Sequence, residues 1–183
     1  MMTAENSNQI VRRKRGERAQ IKMLRILRSL GGKLIQSVFR RKVTVGGRTY
    51  ATSRYSATPI DLDFEHESWI NPIFKAVLEA KTGAFIDVGV NRGQTFCKLL
   101  YFAPDRPYVG FEPQVSCAYA MERFIENNDL RNTIVIPVGL ADKAGLCRIM
   151  RRSGISDSTA SIVTGFRPES FYNKSSFIPI MKG

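Results

Sequence analysis

An α/β fold with a parallel, doubly wound sheet is what this sequence predicts, and three observations carry the prediction. Ala84 to Val88 reads as a buried strand, and Gly89-Val90-Asn91-Arg92-Gly93 follows it as a glycine-punctuated turn. Gln94 to Phe102 then has the spacing of a helix. Tyr108 to Phe111 is a second strand, and it ends on Glu112, twenty-three residues after Gly89. Strand, tight turn, helix and strand in that order make the repeating unit of a parallel sheet.

In such sheets ligands sit over the carboxyl ends of the strands, and an acid closing the second strand suits the two hydroxyls of a ribose. Gly89 and Gly93 let the backbone approach a ligand, because a Cβ would clash or forbid positive φ. A dinucleotide site wants three glycines in G-x-G-x-x-G, so that a pyrophosphate rests on a helix N-terminus. Here the turn is Gly89-x-Asn91-x-Gly93 with no third glycine, and an acid, Asp87, stands in the strand just before it. A carboxylate opposes pyrophosphate and suits a cationic sulfonium. The chemistry therefore favours S-adenosylmethionine over NAD. The competing reading is a turn with only a structural role; the turn and Glu112 together are more specific than the turn alone.

The remaining elements follow in chain order. Thr44 to Tyr55 has the pattern of a small hairpin around Gly46-Gly47. Asp61 to Ala80 begins acidic and becomes helical, with Trp69, Ile73, Phe74, Val77 and Leu78 at core spacing. Asn71-Pro72 fits a first turn, where proline has no donor to lose, and Lys81-Thr82-Gly83 ends the helix. Val115 to Asn128 is a further amphipathic helix (Ala118, Met121, Phe124, Ile125) closed by Asn127-Asn128-Asp129. A third strand is expected within residues 135 to 145, and Leu146 to Met150 as one strand of a small hairpin. The Ser/Gly/Thr-rich run 153 to 165 reads as loop, and Ser176 to Ile180 as a last short strand.

Charge divides the chain in two. Of 28 Lys+Arg and 16 acids, residues 1–54 hold 14 and 2, so the whole formal charge of +12 lies there and residues 55–183 are neutral. The expected domains are accordingly a basic extension, 1–54, and an α/β domain, 55–183. Residues 1–20 are polar, basic and expected to be disordered. From residue 17, Ile21, Leu24, Leu27 and Leu30 form an apolar stripe flanked by Arg18, Lys22, Arg25 and Arg28. Gly31-Gly32 interrupts it, Leu34, Ile35, Val38 and Phe39 extend it, and Arg40-Arg41-Lys42 closes it. A basic amphipathic helix over residues 17–42 suits, in order, an anionic membrane surface, packing on its own domain, or an acidic partner or nucleic acid. No run approaches the ~20 apolar residues that span a bilayer. The expected location is the cytoplasm, with 17–42 peripheral on the inner membrane surface.

Three cysteines, Cys97, Cys117 and Cys147, stand at no metal-like spacing, and Cys97 and Cys117 fall in predicted helices as small core hydrophobes. His66, the one histidine, lies between Glu65 and Glu67, and no cluster supports it as a general base. Trp69 is expected in the core. No zinc spacing, phosphate loop or Ser/His/Asp set is present.

Three motifs in fixed order, FIDVGVNRGQT (85–95), YVGFEPQ (108–114) and VIPVGLADKAG (135–145), resemble those of the FkbM family of S-adenosylmethionine-dependent methyltransferases. The resemblance covers about residues 64–150. Val90 stands where that family has alanine, and Gly139-Leu140-Ala141-Asp142 where it has Ala-Leu-Ser-Asp. The resemblance implies a Rossmann-like class I methyltransferase sandwich. Asp87, Gly89, Asn91 and Gly93 would line the methionine end of the cofactor, Glu112 would take the ribose hydroxyls, and Pro113 would turn the chain away. Leu140, Ala141 and Asp142 would lie near the adenine; on turn chemistry alone Asp142 reads equally as a turn residue. The family's fourth strand, ending in Asp-x-Glu-Gly, has no counterpart. The expectation is thus a domain truncated at its C-terminal side, with its first strand an exposed apolar edge. The implied activity is methyl transfer to an oxygen of a sugar or secondary metabolite, with no catalytic residue assignable. The alternative is a non-enzymatic remnant or interaction module.

Overall fold

The computed structural model describes residues 40–53, 58–152, 154, 157–163, 165 and 167–183. The expectations for residues 1–39 lie outside these. The chain divides into two compact units, Met1–Arg40 and Arg41–Gly183. Strand β1 (Arg40–Val45) and strand β2 (Arg48–Ser53) pair as a hairpin. Gly46 and Gly47 turn it, both at positive φ (55° and 80°), as a two-residue hairpin turn requires. Arg40, Arg41 and Lys42 therefore open a strand, so the helix expected over 17–42 does not include them. The hairpin groups with the following sheet although its charge groups it with the extension. Val45 and Tyr50 enter the core, and the Asn128 side chain accepts from Ala51 N (2.7 Å) and donates to Ala51 O (3.0 Å).

The helix expected over the end of 61–80 is confined to α1, Asn71–Ala80, with proline in its first turn and a 3-10 turn, Ser68–Ile70, before it. Residues 61–67 stay non-helical for a local reason. Asp61 and Asp63 each accept the backbone N–H two residues on (3.2 and 3.0 Å), an arrangement that competes with the helix ladder. Helix α1 buries Phe74 and Leu78; the Phe74 ring lies 5.2 Å from Phe85 and 6.4 Å from Phe102. Trp69, expected in the core, is 71% exposed, and Ile73 and Val77 are exposed with it. Two apolar stripes run side by side on this segment, and among the described residues only the one carrying Phe74 and Leu78 is covered.

Strands β3 (Phe85–Val88), β4 (Tyr108–Phe111) and β5 (Thr133–Ile136) form a parallel sheet in that order, joined through α2 (Gln94–Phe102) and α3 (Val115–Asn127). The register sets Phe85, Tyr108 and Thr133 in one row and Asp87, Gly110 and Val135 in the next. On this face the Phe96 ring of α2 lies 4.6 Å from Tyr108 and 6.2 Å from Phe124 of α3, and Leu99, Leu100 and Met121 are buried with them. Ile86, Val109 and Ile134 form a row on the opposite face. There Ile86 and Val88 are 64% and 63% exposed, and among the described residues β3 has no neighbour on its outer side. Among these residues the apolar edge read from the sequence is exposed. The α/β class with a parallel sheet holds.

The stretch expected as one third strand is two. Pro137, which has no N–H for a ladder, lies between β5 and β6 (Gly139–Ala141). Strand β6 belongs to a second sheet, ordered β6-β8-β7, with β7 at Gly145–Arg151 and β8 at Lys174–Lys182. Strand β8 runs parallel to β6 and antiparallel to β7, so the two short strands expected near 146–150 and 176–180 pair with each other. Among the described residues no helix is long and apolar enough to cross a membrane.

Candidate functional site

The β3–α2 connection is built from left-handed residues. Gly89, Asn91 and Gly93 have φ of 89°, 50° and 84°. A non-glycine residue needs support at such a φ, and Asn91 has it. Its N–H donates to Glu112 Oε2 at 2.6 Å, and its side-chain oxygen accepts from the Cys117 thiol at 3.7 Å. Gly89 N and Val90 N both donate to Phe111 O (2.9 and 3.2 Å), which fastens the turn to the end of β4. A Cβ on Gly89 would meet nothing within 4 Å.

Glu112 is the centre of the arrangement. It is only 2% exposed, and its second oxygen, Oε1, accepts from Gln114 N at 2.7 Å. Each carboxylate oxygen thus holds one backbone donor and keeps a lone pair for another. Burial raises the Glu112 pKa, against the backbone donors of Gln114 and Asn91, which favour the ionised form. Val88, Gly89, Asn91, Glu112 and Pro113 form one side of a cavity of about 230 Å³ at the carboxyl ends of β3 and β4. Val138, Gly139, Leu140 and Ile149 form a second side, and Asp157, Ser158, Ala160 and Ile162 a third. The cavity is smaller than the roughly 300–1,000 Å³ of drug-sized sites, so it suits one part of a cofactor. A buried acid beside an aliphatic wall fits a group that carries vicinal hydroxyls at one end and a flat apolar ring at the other.

Of the residues singled out in the sequence, Gly89, Asn91, Glu112 and Leu140 meet at this cavity. Asp87, Gly93, Ala141 and Asp142 lie outside its lining. Asp87 is buried on the helix-covered face and accepts from Tyr108 Oη at 2.7 Å; burial raises its pKa, partly offset by that hydrogen bond. Gly93 caps α2, with a Cβ there placed 3.0 Å from Met121 Sδ. Ala141 pairs with Lys182 in the second sheet, and Asp142 is exposed in the turn that follows.

Gln114 and the segment 157–162 were not anticipated. One local signal for the segment existed: Asp157-Ser158-Thr159 has the spacing at which an aspartate accepts the N–H two residues on, and Asp157 Oδ1 does accept from Thr159 N at 2.8 Å. The pairing of Gln114 with Asp157 spans 43 residues and has no local signature.

Cys97 and Cys117 are fully buried, and burial pushes their thiols up to about 11 and about 12, far from nucleophilic thiolates. His66 is exposed, and among the described residues no cluster of His, Cys, Asp and Glu could hold a metal ion. No family model, curated protein or solved structure matches this chain.

Proposed function

We propose that this chain is an S-adenosylmethionine-dependent methyltransferase of the FkbM type, acting on a hydroxyl oxygen of a sugar or secondary metabolite. The observation that carries the reading is Glu112, a buried carboxylate at the end of the second parallel strand, preset by two backbone donors and lining a cavity beside Gly89. A carboxylate accepting two hydroxyl donors forms strong charge-assisted bonds, so Glu112 would hold the ribose. Val138, Leu140 and Ile149 would face the adenine, and the backbone at Gly89 and Asn91 would approach the remainder. When bound, the cofactor supplies an electrophilic methyl group for in-line displacement by the acceptor oxygen. The protein supplies position and a water-poor setting. Because Asp87 is engaged by Tyr108 and lies outside the cavity lining, the electrostatic case rests on Glu112.

Calorimetric titration of the full chain with S-adenosylmethionine, S-adenosylhomocysteine and NAD tests this. The expected result is binding of the two sulfur nucleosides in preference to NAD. Glu112→Ala should abolish it, as should Leu140→Trp, which fills the cavity from the other side without touching the hydrogen bonds of the carboxylate. Circular dichroism checks that both variants fold. A folded wild-type chain that binds neither sulfur nucleoside would sink the proposal. A non-catalytic module completed by another chain is the second reading, favoured by the outer side of β3, which no strand among the described residues covers. Binding without turnover on any hydroxyl acceptor would support it.

A further inference from the structure

We propose that Gln114 is a positioning residue that holds segment 157–162 as the outer wall of the cavity, and that this wall sets how tightly the base of the bound nucleoside is held. The inference rests on the cofactor reading above and deepens it.

The cavity lies between two sheets. Its acid, Glu112, follows β4 of the parallel sheet, whereas Leu140 and Ile149 belong to β6 and β7 of the mixed one. Segment 157–162 closes the third side and is tied to both. At one end Met150 of β7 exchanges two backbone hydrogen bonds with Ser161 (2.9 and 3.0 Å). At the other, the Gln114 side chain grips the Asp157 peptide from both sides. Its Oε1 accepts from Asp157 N at 2.8 Å, and its Nε2 donates to Asp157 O at 3.1 Å. Both residues are buried. The Asp157 carboxylate stiffens the segment further, accepting from Arg152 N (2.6 Å), Thr159 N (2.8 Å) and Thr159 Oγ1 (2.7 Å).

Gln114 joins the two ends of the ligand site. Its backbone N–H sets one oxygen of Glu112, and its side chain sets the wall that presents Ala160 and Ile162 to the cavity. One residue thereby fixes the distance between the group that takes the hydroxyls and the surface that meets the ring. A side-chain amide is the group that can do this, since it offers one donor and one acceptor side by side and so matches a peptide. Removing it leaves the Asp157 N–H and C=O buried without those partners, and the segment moves to satisfy them.

The test uses the full chain with Gln114→Leu, which removes both bonds, and Gln114→Glu, which retains the acceptor. Both keep the backbone N–H that meets Glu112, and both alter the side-chain hydrogen bond that Gln114 also makes to it. Hydrogen exchange reads the clasp without any ligand: exchange over 157–162 should rise in both variants, more in Gln114→Leu, with the parallel sheet unchanged. Calorimetry with S-adenosylhomocysteine reads the effect on binding. Affinity should fall about tenfold or more in Gln114→Leu, the size expected when buried hydrogen bonds are lost. Unchanged exchange at 157–162 overturns the clasp. Faster exchange with unchanged affinity overturns the role of the wall. A wild-type chain that does not bind S-adenosylhomocysteine overturns the cofactor reading and the role of the wall together, a result distinct from equal binding by wild type and variant.

Discussion

Tyr108 reaches Asp87 across a glycine. The two residues face the same side of neighbouring strands, and Gly110 lies between them in the register. A Cβ on Gly110 would stand 2.5 Å from Val90 Cγ2 and 2.8 Å from Tyr108 Cε1, so only glycine leaves room for the phenol. Burial raises the Asp87 pKa from its ordinary 3.8, and the Tyr108 hydrogen bond recovers part of the ionised form. A carboxyl that holds its proton more tightly when folded stabilises the fold below its unfolded pKa, and that contribution is lost as pH rises through the folded value. Asp87→Asn keeps the acceptor for Tyr108 and removes the charge. Its stability relative to wild type should therefore rise as pH increases above the ordinary value of 3.8, by roughly 1.4 kcal/mol per unit of upward shift. Urea denaturation at several pH values checks this, and parallel profiles for the two proteins would refute it. Glu112 was legible in the sequence because its position after a strand and a glycine turn is a local pattern. The engagement of Asp87 was not, because its partner is fixed by strand register 21 residues away.

Among the elements, α2 was read to its true bounds, Gln94–Phe102, since the Gly93 cap and the Ala103-Pro104 stop are both local signals. Its interior holds what the pattern did not disclose. Lys98 is buried, and its Nζ donates to His66 O (2.6 Å), Asn71 Oδ1 (2.8 Å) and Phe64 O (3.3 Å), with the Phe64 ring 5.5 Å away. One ammonium thus joins two carbonyls of the non-helical lead, Phe64 O and His66 O, to Asn71 at the start of α1. Replacing the lysine with methionine keeps the apolar stem and removes the donors. Lys98→Met should cost about 1.5–3 kcal/mol, the range for hydrogen bonds to a charged group, and should speed hydrogen exchange over residues 64–71. Lys75→Met is the control. Lys75 lies 3.8 Å from Glu79 on the exposed side of α1, where such a pair contributes under about 1 kcal/mol. Equal losses from the two substitutions would show that the buried lysine is not what holds the segment. Trp69 was misread for a related reason: spacing reveals that a helix has apolar stripes, and only its neighbours decide which stripe is covered.

At the scale of the molecule, the parallel sheet has helices on one face and an apolar row on the other. Parallel sheets are ordinarily covered on both faces, and an unpaired apolar edge is a template for association. Order and direction of the first three strands were legible from motif spacing. The separation of the second sheet was not, because it depends on β8 pairing with both β6 and β7, across about forty and thirty residues. The exposed row makes a prediction about solution behaviour. The purified chain should self-associate as its concentration rises, and Ile86→Lys with Val88→Lys should suppress this, since lysine on an edge disfavours strand addition. Both side chains are more than 60% exposed, so the double change should alter unfolding stability by only about 0.5 kcal/mol. Added charge alone raises solubility, and Thr82→Lys with Ala144→Lys supplies the same charge at two exposed loop positions. Sedimentation velocity over a concentration series separates the cases. Association lost in the edge variant and kept in the loop variant assigns it to β3. Loss in both assigns it to net charge, and a wild-type chain that stays monomeric throughout means that this edge does not pair in solution.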